Sequence, residues 1–283
     1  MKKKKPTLIL ILILANLVTL FSFLQIKSSR AEVVFFNVGQ GDAALVRSSQ
    51  GHNILIDGGP GEKILPHLSA ELPFWDRKID LMILTHAHAD HLSGLVEVSE
   101  RYDVEKILWN GQSHDSLLYK QWEALLDDIE SKKAYKGQRI KFDNFHLDVL
   151  HPPKDIDYDL GLNENSVINR LIHEDGAILF MGDAYKKQEK RLLELERRCL
   201  ETDYGWCKVM ELPSNVLKAG HHGSSTSSDP DFIERVDPEV AIISAGIDNR
   251  YGHPHEETLE TLRGLDVDMH KTFENGNLRI ELE

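Results

Sequence analysis

The chain has 283 residues, of which 41% are hydrophobic and 28% are charged, a composition typical of a globular protein with one large core or two modest ones. Its formal net charge is -13, but six basic residues precede residue 31 and every acidic residue follows it, so residues 31–283 carry -13 lowered by six, or -19. Such an acidic body excludes broad, non-specific binding of polyanions, which needs clustered Lys and Arg.

The first thirty residues form a separate segment. A basic cluster from Lys2 to Lys5 precedes a stretch from Leu8 to Leu24 that is apolar apart from three polar residues. This length is at the lower end of the roughly 17 to 25 residues that a membrane-spanning helix needs. Because basic residues tend to stay on the cytoplasmic side, the pattern predicts a membrane anchor over residues 1–30, with the body outside the cytoplasm. A cleaved signal peptide is the alternative, and it would release the body as a secreted protein.

The body starts with a meander of short strands and continues as interspersed strands and helices. A strand over residues 78–84 runs straight into the sequence Thr85-His-Ala-His-Ala-Asp-His91, and a helical pattern follows as far as Glu100. The other strands are predicted at residues 32–38, 43–47, 53–57, 104–109, 145–150, 167–172, 177–181, 216–219 and 240–244. Further helices are predicted at residues 117–131, 184–200, 229–236 and 255–263. This order predicts one mixed α/β domain over residues 31–283, with two sheets covered by helices.

The strongest chemical signal is the run His86-Ala-His88-Ala-Asp90-His91, directly after a buried strand. In an extended loop, residues two apart project the same way, so His86 and His88 can bind one metal ion together. Asp90 and His91 come at the turn into a helix and can bind a second ion nearby. Histidine nitrogens and carboxylate oxygens suit zinc or manganese, and a pair of such ions activates water for hydrolysis.

Three further segments place polar groups directly after apolar strands. Asp183 follows the first of these strands, and a single carboxylate there can bridge two metal ions. His221 and His222 follow the second strand, and His253 comes after the third. Each segment alone would also fit an ordinary turn or a hydrogen-bonded histidine. Because all of them follow strands, as the first motif does, they can converge on one edge of a sheet sandwich.

Together these motifs resemble the metallo-β-lactamase superfamily, and the fuller set resembles the C-terminal hydrolase domain of ComEC-type DNA-internalisation competence proteins in a stand-alone form. The segments that carry the resemblance are Asn37-Val-Gly-Gln-Gly-Asp42, Ile56-Asp57-Gly58-Gly59, the THAHADH loop, Asn165-Ser166, Gly182-Asp183, Lys218-Ala-Gly-His-His-Gly-Ser224 and Tyr251-Gly-His253-Pro. There are two departures: His88 stands where many competence-type domains carry Asp, and the multi-span channel region is missing. The resemblance therefore implies a nuclease or phosphodiesterase, without the transport role.

The resemblance implies an αββα sandwich of two mixed sheets and a centre of two divalent metal ions, with zinc favoured over manganese. The implied metal ligands are His86 and His88 on the first ion, Asp90 and His91 on the second, Asp183 as the bridge, and His222 and His253 completing the two shells. The usual third histidine of the first ion is not evident, and His151, Asn165 and His221 are the alternatives for this place.

The expected catalytic residues are Asp90, Lys218 and His221. Lys218 and His221 can assist proton transfer or charge stabilisation, or they can instead orient metal ligands, and Asp42 has the same two alternatives. For Asp57 we predict a structural role, because Asp-Gly-Gly-Pro is a strong turn signal by itself.

The two cysteines, Cys199 and Cys207, are reasonable disulfide partners if the body is exported, and two free thiols are the alternative in the cytosol. We expect an extracytoplasmic phosphodiesterase or nuclease that acts on DNA or its fragments. A phosphate-ester hydrolase acting on a cell-envelope polymer, like the phosphorylcholine esterases of similar fold, is the first alternative, and the acidic surface favours such smaller substrates. An inactive metal-binding protein is the second alternative.

Overall fold

The computed structural model describes residues 5–27, 31–202 and 204–282. The helices in these ranges are α1 (Lys5–Lys27), α2 (Ile64–Glu71), α3 (Ala89–Ser99), α4 (Leu117–Asp128), α5 (Lys186–Glu201), α6 (Pro230–Val236), α7 (Glu256–Gly264) and α8 (Thr272–Asn275). The strands are β1 (Ala31–Phe35), β2 (Ala44–Arg47), β3 (Asn53–Ile56), β4 (Lys78–Ile79), β5 (Leu81–Leu84), β6 (Asp103–Val104), β7 (Lys106–Trp109), β8 (Glu130–Lys133), β9 (Arg139–Lys141), β10 (Phe145–His151), β11 (Ile168–His173), β12 (Gly176–Phe180), β13 (Val216–Lys218), β14 (Val240–Ile243), β15 (Asp268–Lys271) and β16 (Leu278–Leu282).

Two seven-stranded sheets form the body. The strand order is β16-β1-β2-β3-β5-β7-β8 in the first sheet and β15-β14-β13-β12-β11-β10-β9 in the second, and β4 pairs with β6 in a small separate ribbon. Each sheet has an antiparallel half and a parallel half. The parallel strands are β3, β5, β7 and β8 in one sheet and β12 to β15 in the other. The loops that follow β5, β12 and β13 meet at one end of the sandwich.

Apolar side chains fill three layers. The inner faces of the two sheets pack against each other, while α2, α3 and α4 cover the outer face of the first sheet, and α5, α6 and α7 cover the second. All four residues of β5 are therefore buried: Leu81 and Ile83 face the other sheet, and Met82 and Leu84 face the helices. Strands buried on both faces read as continuous apolar runs, which is why the sequence revealed them. The predicted αββα sandwich is confirmed.

Several predicted boundaries differ from the structure. The strand predicted over 78–84 is divided into β4 and β5 at Asp80, whose carboxylate accepts a hydrogen bond of 2.8 Å from the Asn53 amide. The helix predicted over 117–131 ends at Asp128, so its last residues were wrong. They begin β8, which pairs parallel to β7 at the edge of the first sheet. All four β8 side chains are exposed and polar, so no apolar pattern marked this strand.

The predicted N-terminal segment forms the helix α1, and the side chains of residues 9–20 are exposed. Residues 1–4 and 28–30, which include most of the basic cluster, lie outside the described residues. Among the helices of the described ranges, none combines the length and the apolar character that crossing a membrane requires. The predicted membrane anchor is therefore not confirmed, and the boundary between residues 1–30 and 31–283 stays a prediction.

The two cysteines form the predicted disulfide. Cys199 lies near the end of α5 and Cys207 begins a short turn, and their Cα atoms are 5.4 Å apart. The bridge closes the loop that follows α5 at the surface of the second sheet.

Candidate metal centre

The loop after β5 presents two histidine nitrogens to one point. The Thr85 hydroxyl donates to the Asp57 carboxylate at 2.7 Å, so its oxygen is left to accept from Nδ1 of His86 at 3.0 Å. This hydrogen bond leaves a lone pair on Nε2 of His86, which lies 3.0 Å from Nδ1 of His88. Burial lowers the pKa of both histidines, that of His86 strongly, so both stay in the neutral form that binds metal ions.

Two groups of donor atoms are close enough together to hold a metal ion, and both include Asp183. Within each group the donor atoms lie within 4.8 Å of one another. The first group is His86, His88 and Asp183, and the second is Asp42, His91, Asp183 and His222. Asp183 follows β12, and its two carboxylate oxygens face different groups: Oδ2 lies 3.6 Å from Nε2 of His86, and Oδ1 lies 3.3 Å from Nε2 of His91. This arrangement is consistent with a dinuclear centre bridged by Asp183.

The donor set of the second group fits a cation. Each of its four residues has a buried atom without a hydrogen-bond partner: Oδ1 of Asp42, Nε2 of His91, Oδ1 of Asp183 and Nε2 of His222. Nε2 of His222 lies 3.4 Å from this Asp183 oxygen and 3.4 Å from Oδ2 of Asp90. Ligands about 2.0 to 2.1 Å from a tetrahedral ion are about 3.4 Å apart. Because unpaired buried polar atoms are costly, these separations indicate a metal site. Asp90 lies next to it but belongs to neither donor group of the described residues, so its role as a ligand stays a prediction.

The carboxylates of the second donor group favour positive charge at its histidines. Burial opposes protonation of His91 and His222, but the Asp183 carboxylate and a second carboxylate beside each ring outweigh it and raise both pKa values well above the usual range. Burial also disfavours ionisation of Asp183, yet the neighbouring histidines lower its pKa well below the usual range. A metal ion bound here would replace protons on these imidazoles, so metal binding would release protons.

Asp57 orients one of the predicted ligands, a role that the sequence missed. Its Oδ2 lies 2.8 Å from Nδ1 of His91, which leaves Nε2 of that ring to face Asp183. Asp57 itself has a positive φ of 57° in the turn after β3, so the predicted structural role also holds. Gly58 and Gly94 let this turn touch α3, because a Cβ on Gly94 would lie 1.9 Å from the Gly58 oxygen. The clue in the sequence was a carboxylate at a strand end, which is a usual partner of metal-binding histidines.

A second buried carboxylate, Asp42, lies behind His222. Its Oδ1 is 3.1 Å from Nδ1 of His222, and its Oδ2 is 2.7 Å from the ammonium of Lys218. Nδ1 of His222 bonds the main-chain oxygen of Ser244 at 2.9 Å, so Ser244 orients this ring, and Asp42 itself belongs to the second donor group. The Lys218 ammonium also donates to the Ala219 oxygen at 3.0 Å and is buried. Lys218 thus contacts Asp42, and the two roles predicted for Lys218 and Asp42 both stay predictions.

His221 lies on the open side of the site. Its Nε2 is 4.0 Å from Oδ2 of Asp183, and its Nδ1 is 2.8 Å from the Thr226 hydroxyl. His221 and His222 have positive φ values of 46° and 55°. Such a conformation costs of order 1 to 3 kcal/mol per non-glycine residue and often marks functional sites. The turn directs His222 into the buried group and leaves His221 at the rim, where proton transfer or metal binding are both open to it.

The remaining predicted residues lie at different distances from the centre. The His253 ring is 5.2 Å from the His221 ring, but His253 belongs to neither donor group of the described residues, so its role as a ligand stays a prediction. His151 is buried, its Nδ1 bonds the Ser166 oxygen at 3.0 Å, and it belongs to neither donor group of the described residues. Asn165 bonds the Gln112 side chain at 3.1 Å instead.

Two residues that the sequence did not single out complete the rim. The Asn163 amide lies 3.3 Å from Nε2 of His221 and donates to the Tyr185 hydroxyl at 3.1 Å. Asn163 is two positions before the Asn165 that the resemblance indicated, and a short helical turn over Asn163–Asn165 places the two amides on different sides. No local pattern distinguishes them.

The αββα sandwich and the two donor groups that share Asp183 define a metal-dependent hydrolase with a centre suited to two ions. The sequence profile of the Metallo-beta-lactamase superfamily matches residues 36–247. The chain belongs to this superfamily, as the resemblance indicated.

Relatives and solved structures agree with this family. The chain is 27% identical to ComE operon protein 3 of Bacillus subtilis, over 89% of this chain and 33% of that protein. It is 29% identical to Competence protein ComA of Neisseria gonorrhoeae, over 91% of this chain and 33% of that protein. The chain thus spans about a third of the length of these curated relatives. The metallo-beta-lactamase fold protein YhfI of Bacillus subtilis has the same fold, with a TM-score of 0.56 and 12% identity over 89% of this chain and 99% of that one.

Proposed function

We propose that this protein is a phosphodiesterase or nuclease that hydrolyses DNA, its fragments or smaller phosphate esters. The observation that supports the proposal most is the position of Asp183 between two donor groups, each with two or more further ligands. Two divalent ions held there would supply an activated water and positive charge for the developing oxyanion. The likeness to competence proteins favours a nucleic acid over other phosphodiesters. The histidine-rich donor set favours zinc over manganese.

The chain's own residues divide the work. His86, His88, Asp90, His91, Asp183 and His222 would hold the ions. At the rim, His221 can accept or return a proton at Nε2, because the Thr226 hydroxyl holds Nδ1 and Nε2 has only the Asn163 amide beside it, at 3.3 Å, among its hydrogen-bond partners in the described residues. The lowered pKa of His221, caused by burial and by neighbouring histidines, keeps this nitrogen unprotonated near neutral pH.

A cation and an aromatic ring flank the other side of the centre. The Tyr251 ring stacks on His253 with centroids 5.6 Å apart, and the Arg250 guanidinium lies 4.8 Å from the Tyr251 ring. Tyr251 is 48% exposed. These two side chains can contact a phosphate and the face of a base next to the scissile bond. Arg250 and Tyr251 would thus offer a phosphodiester substrate favourable contacts near the metal centre, although the body as a whole is acidic.

The proposal is tested by assaying the purified full chain, loaded with zinc or manganese, against single-stranded DNA, duplex DNA and bis(p-nitrophenyl) phosphate. We expect metal-dependent hydrolysis of the small diester and of DNA, lost on chelation and restored by metal. Hydrolysis of choline phosphate esters without cleavage of DNA would instead favour the envelope-polymer alternative. A metal-loaded protein that cleaves none of these substrates would leave the inactive metal-binding alternative.

We also propose that the body works outside the cytoplasm. The Cys199–Cys207 disulfide supports this location, because disulfides persist mainly in oxidising compartments. We expect mass spectrometry of non-reduced, alkylated protein from intact cells to find the two cysteines paired. Because the closed ring is small, reduction should lower the free energy of unfolding by at most about 2 to 3 kcal/mol. Alkylation of both thiols in freshly isolated material would contradict the location.

A further inference from the structure

A cationic surface near the metal centre contrasts with the acidic charge of the body. Five side chains form what we call the basic-aromatic surface: Lys136, Arg191, Arg198, Tyr204 and Trp206. The Lys136 ammonium lies 3.7 Å from the centroid of the Trp206 ring. The Tyr204 and Trp206 rings stack with centroids 5.3 Å apart and an interplanar angle of 1°. The Arg198 guanidinium lies 5.7 Å from the Tyr204 ring. A stacked pair of aromatic rings thus has a cation at each end.

The cations of the basic-aromatic surface have no carboxylate partner among the described residues. Burial lowers the pKa of Lys136, and the positive charges of Arg191 and Arg198 lower it further, so each guanidinium repels this ammonium. Among the described residues, none of these three side chains forms an ion pair with a carboxylate, whereas Lys187 of the same helix pairs with Glu164 at 3.1 Å. An anion from outside would relieve this repulsion.

The aromatic part of this surface is held in place. The disulfide from Cys199 closes the loop that carries Tyr204 and Trp206. Gly137 has a φ of +99°, and a Cβ there would lie 2.9 Å from the Cβ of Trp206, so glycine allows the loop to pack on the turn before β9. Next to this contact, the Arg139 guanidinium donates to the main-chain oxygen of Lys208 at 3.0 Å. These three contacts hold the aromatic rings in one arrangement, so little conformational entropy would be lost when a ligand binds them.

Short contacts connect this surface to the metal centre. The Lys136 amide donates to the Pro152 oxygen at 2.6 Å, and the preceding residue, His151, bonds the Ser166 oxygen at 3.0 Å. The Ser166 hydroxyl in turn accepts from the Asp183 amide at 3.3 Å. Three hydrogen bonds therefore connect the main chain at Lys136 with that of Asp183, which places this surface next to the segment that carries the bridging carboxylate.

We propose that the basic-aromatic surface binds a single strand of nucleic acid whose scissile bond lies at the metal centre. The inference rests on the proposed function and specifies its substrate. Lys136, Arg191 and Arg198 match backbone phosphates. Tyr204 is 37% exposed and offers an unpaired base the ring face that Trp206 does not cover. Proteins that bind single strands combine such cations with aromatic rings, because unpaired bases leave their faces open for stacking. A duplex would offer the phosphates but not the bases.

The test is equilibrium binding of a fluorescent 30-nucleotide strand with phosphorothioate linkages, measured by anisotropy on the metal-loaded full chain. Binding through three phosphates predicts that raising salt from 50 to 200 mM weakens the affinity by about 20-fold. In the double variant Arg191→Gln/Arg198→Gln, we expect the affinity at 50 mM salt to fall tenfold or more. The slope of log affinity against log salt should become shallower by about 1.4, because each lost phosphate contact removes about 0.7.

The matched control is Arg197→Gln, which removes one charge from an exposed neighbour on the same helix that lies outside the basic-aromatic surface. It should bind the strand like the wild type. Equal binding by Arg191→Gln/Arg198→Gln and by the control, with both variants folded by circular dichroism, would overturn the proposal. Equally tight binding of a 30-base-pair duplex, or tighter binding of a glycerol-phosphate polymer, would overturn the assignment to a single strand.

Hydrolysis of bis(p-nitrophenyl) phosphate by the wild type separates this inference from the proposed function. This small diester does not extend beyond the metal centre. If the wild type hydrolyses this diester but Arg191→Gln/Arg198→Gln binds the strand as tightly as the wild type does, the basic-aromatic surface is rejected as the strand-binding site. The proposed function then remains. If the diester is not hydrolysed, the proposed function fails and with it the role of the surface in holding a substrate, whatever the strand affinity.

Discussion

Replacing Asp183 by alanine should abolish hydrolysis and lower the metal content from two ions per chain to one or none. Its two oxygens face the two donor groups separately, so both ions lose a ligand in one substitution. We expect kcat on bis(p-nitrophenyl) phosphate to fall by roughly 10² to 10³-fold or more, the usual loss when one preorganised electrostatic group is removed. Elemental analysis of the dialysed, metal-saturated protein gives the stoichiometry. Circular dichroism should show an unchanged fold.

Two companion variants sharpen this result. Asp127→Ala removes an exposed carboxylate from α4, away from the donor groups, and should keep two ions and full activity. Asp183→Asn keeps the size of the side chain but removes its negative charge, which favours positive charge at His91 and His222. Because the same charge would favour a bound cation, this variant should also lose metal. Two tightly bound ions and wild-type turnover in Asp183→Ala would rule out the bridging role.

The fold and most of the donor residues could be predicted because the signal is local. Each motif follows an apolar strand, and strands such as β5 are buried on both faces, which gives an uninterrupted apolar run. Two half-parallel sheets then place the loops after β5, β12 and β13 at one end. To predict the donor residues, it was enough to recognise where each apolar strand ends and how the histidines after it are spaced. The prediction did not need the strand order, which no local pattern reveals.

The contacts that the sequence did not predict span long separations. Asp57 contacts His91, which is 34 positions later, and Asp42 contacts Lys218 from the other sheet. A carboxylate in a Gly-rich turn looks the same whether it caps the turn or orients a distant ring. The edge strand β8 is missed for a related reason, since its exposed polar residues show no period.

The contact between Asp42 and Lys218 leads to the largest expected change in stability. In Lys218→Met, we expect the free energy of unfolding at pH 7 to fall by about 3 to 5 kcal/mol, because Asp42 becomes a buried charge without its lysine partner. In the double variant Asp42→Asn/Lys218→Met, most of this loss should be recovered, because replacing both members of a buried ion pair is often nearly neutral. Urea unfolding of the metal-free proteins measures both values. Equal losses in the single and double variants would show that the lysine acts through packing alone.

The pH dependence provides an independent test of the same pair. In the wild type, burial raises the pKa of Asp42, but the charges of Lys218 and His222 outweigh burial and hold the pKa below the usual 3.8. A depressed pKa in the folded state stabilises the protein above pH 3.8, and this contribution is lost as the pH falls through the folded value. In Lys218→Met the largest opposing charge is gone, so we expect burial to raise the pKa of Asp42 above 3.8. The variant should then be least impaired in acid, and its deficit relative to the wild type should grow as the pH rises from 4 to 7. A deficit that is constant over this range would contradict an ionised Asp42 paired with Lys218.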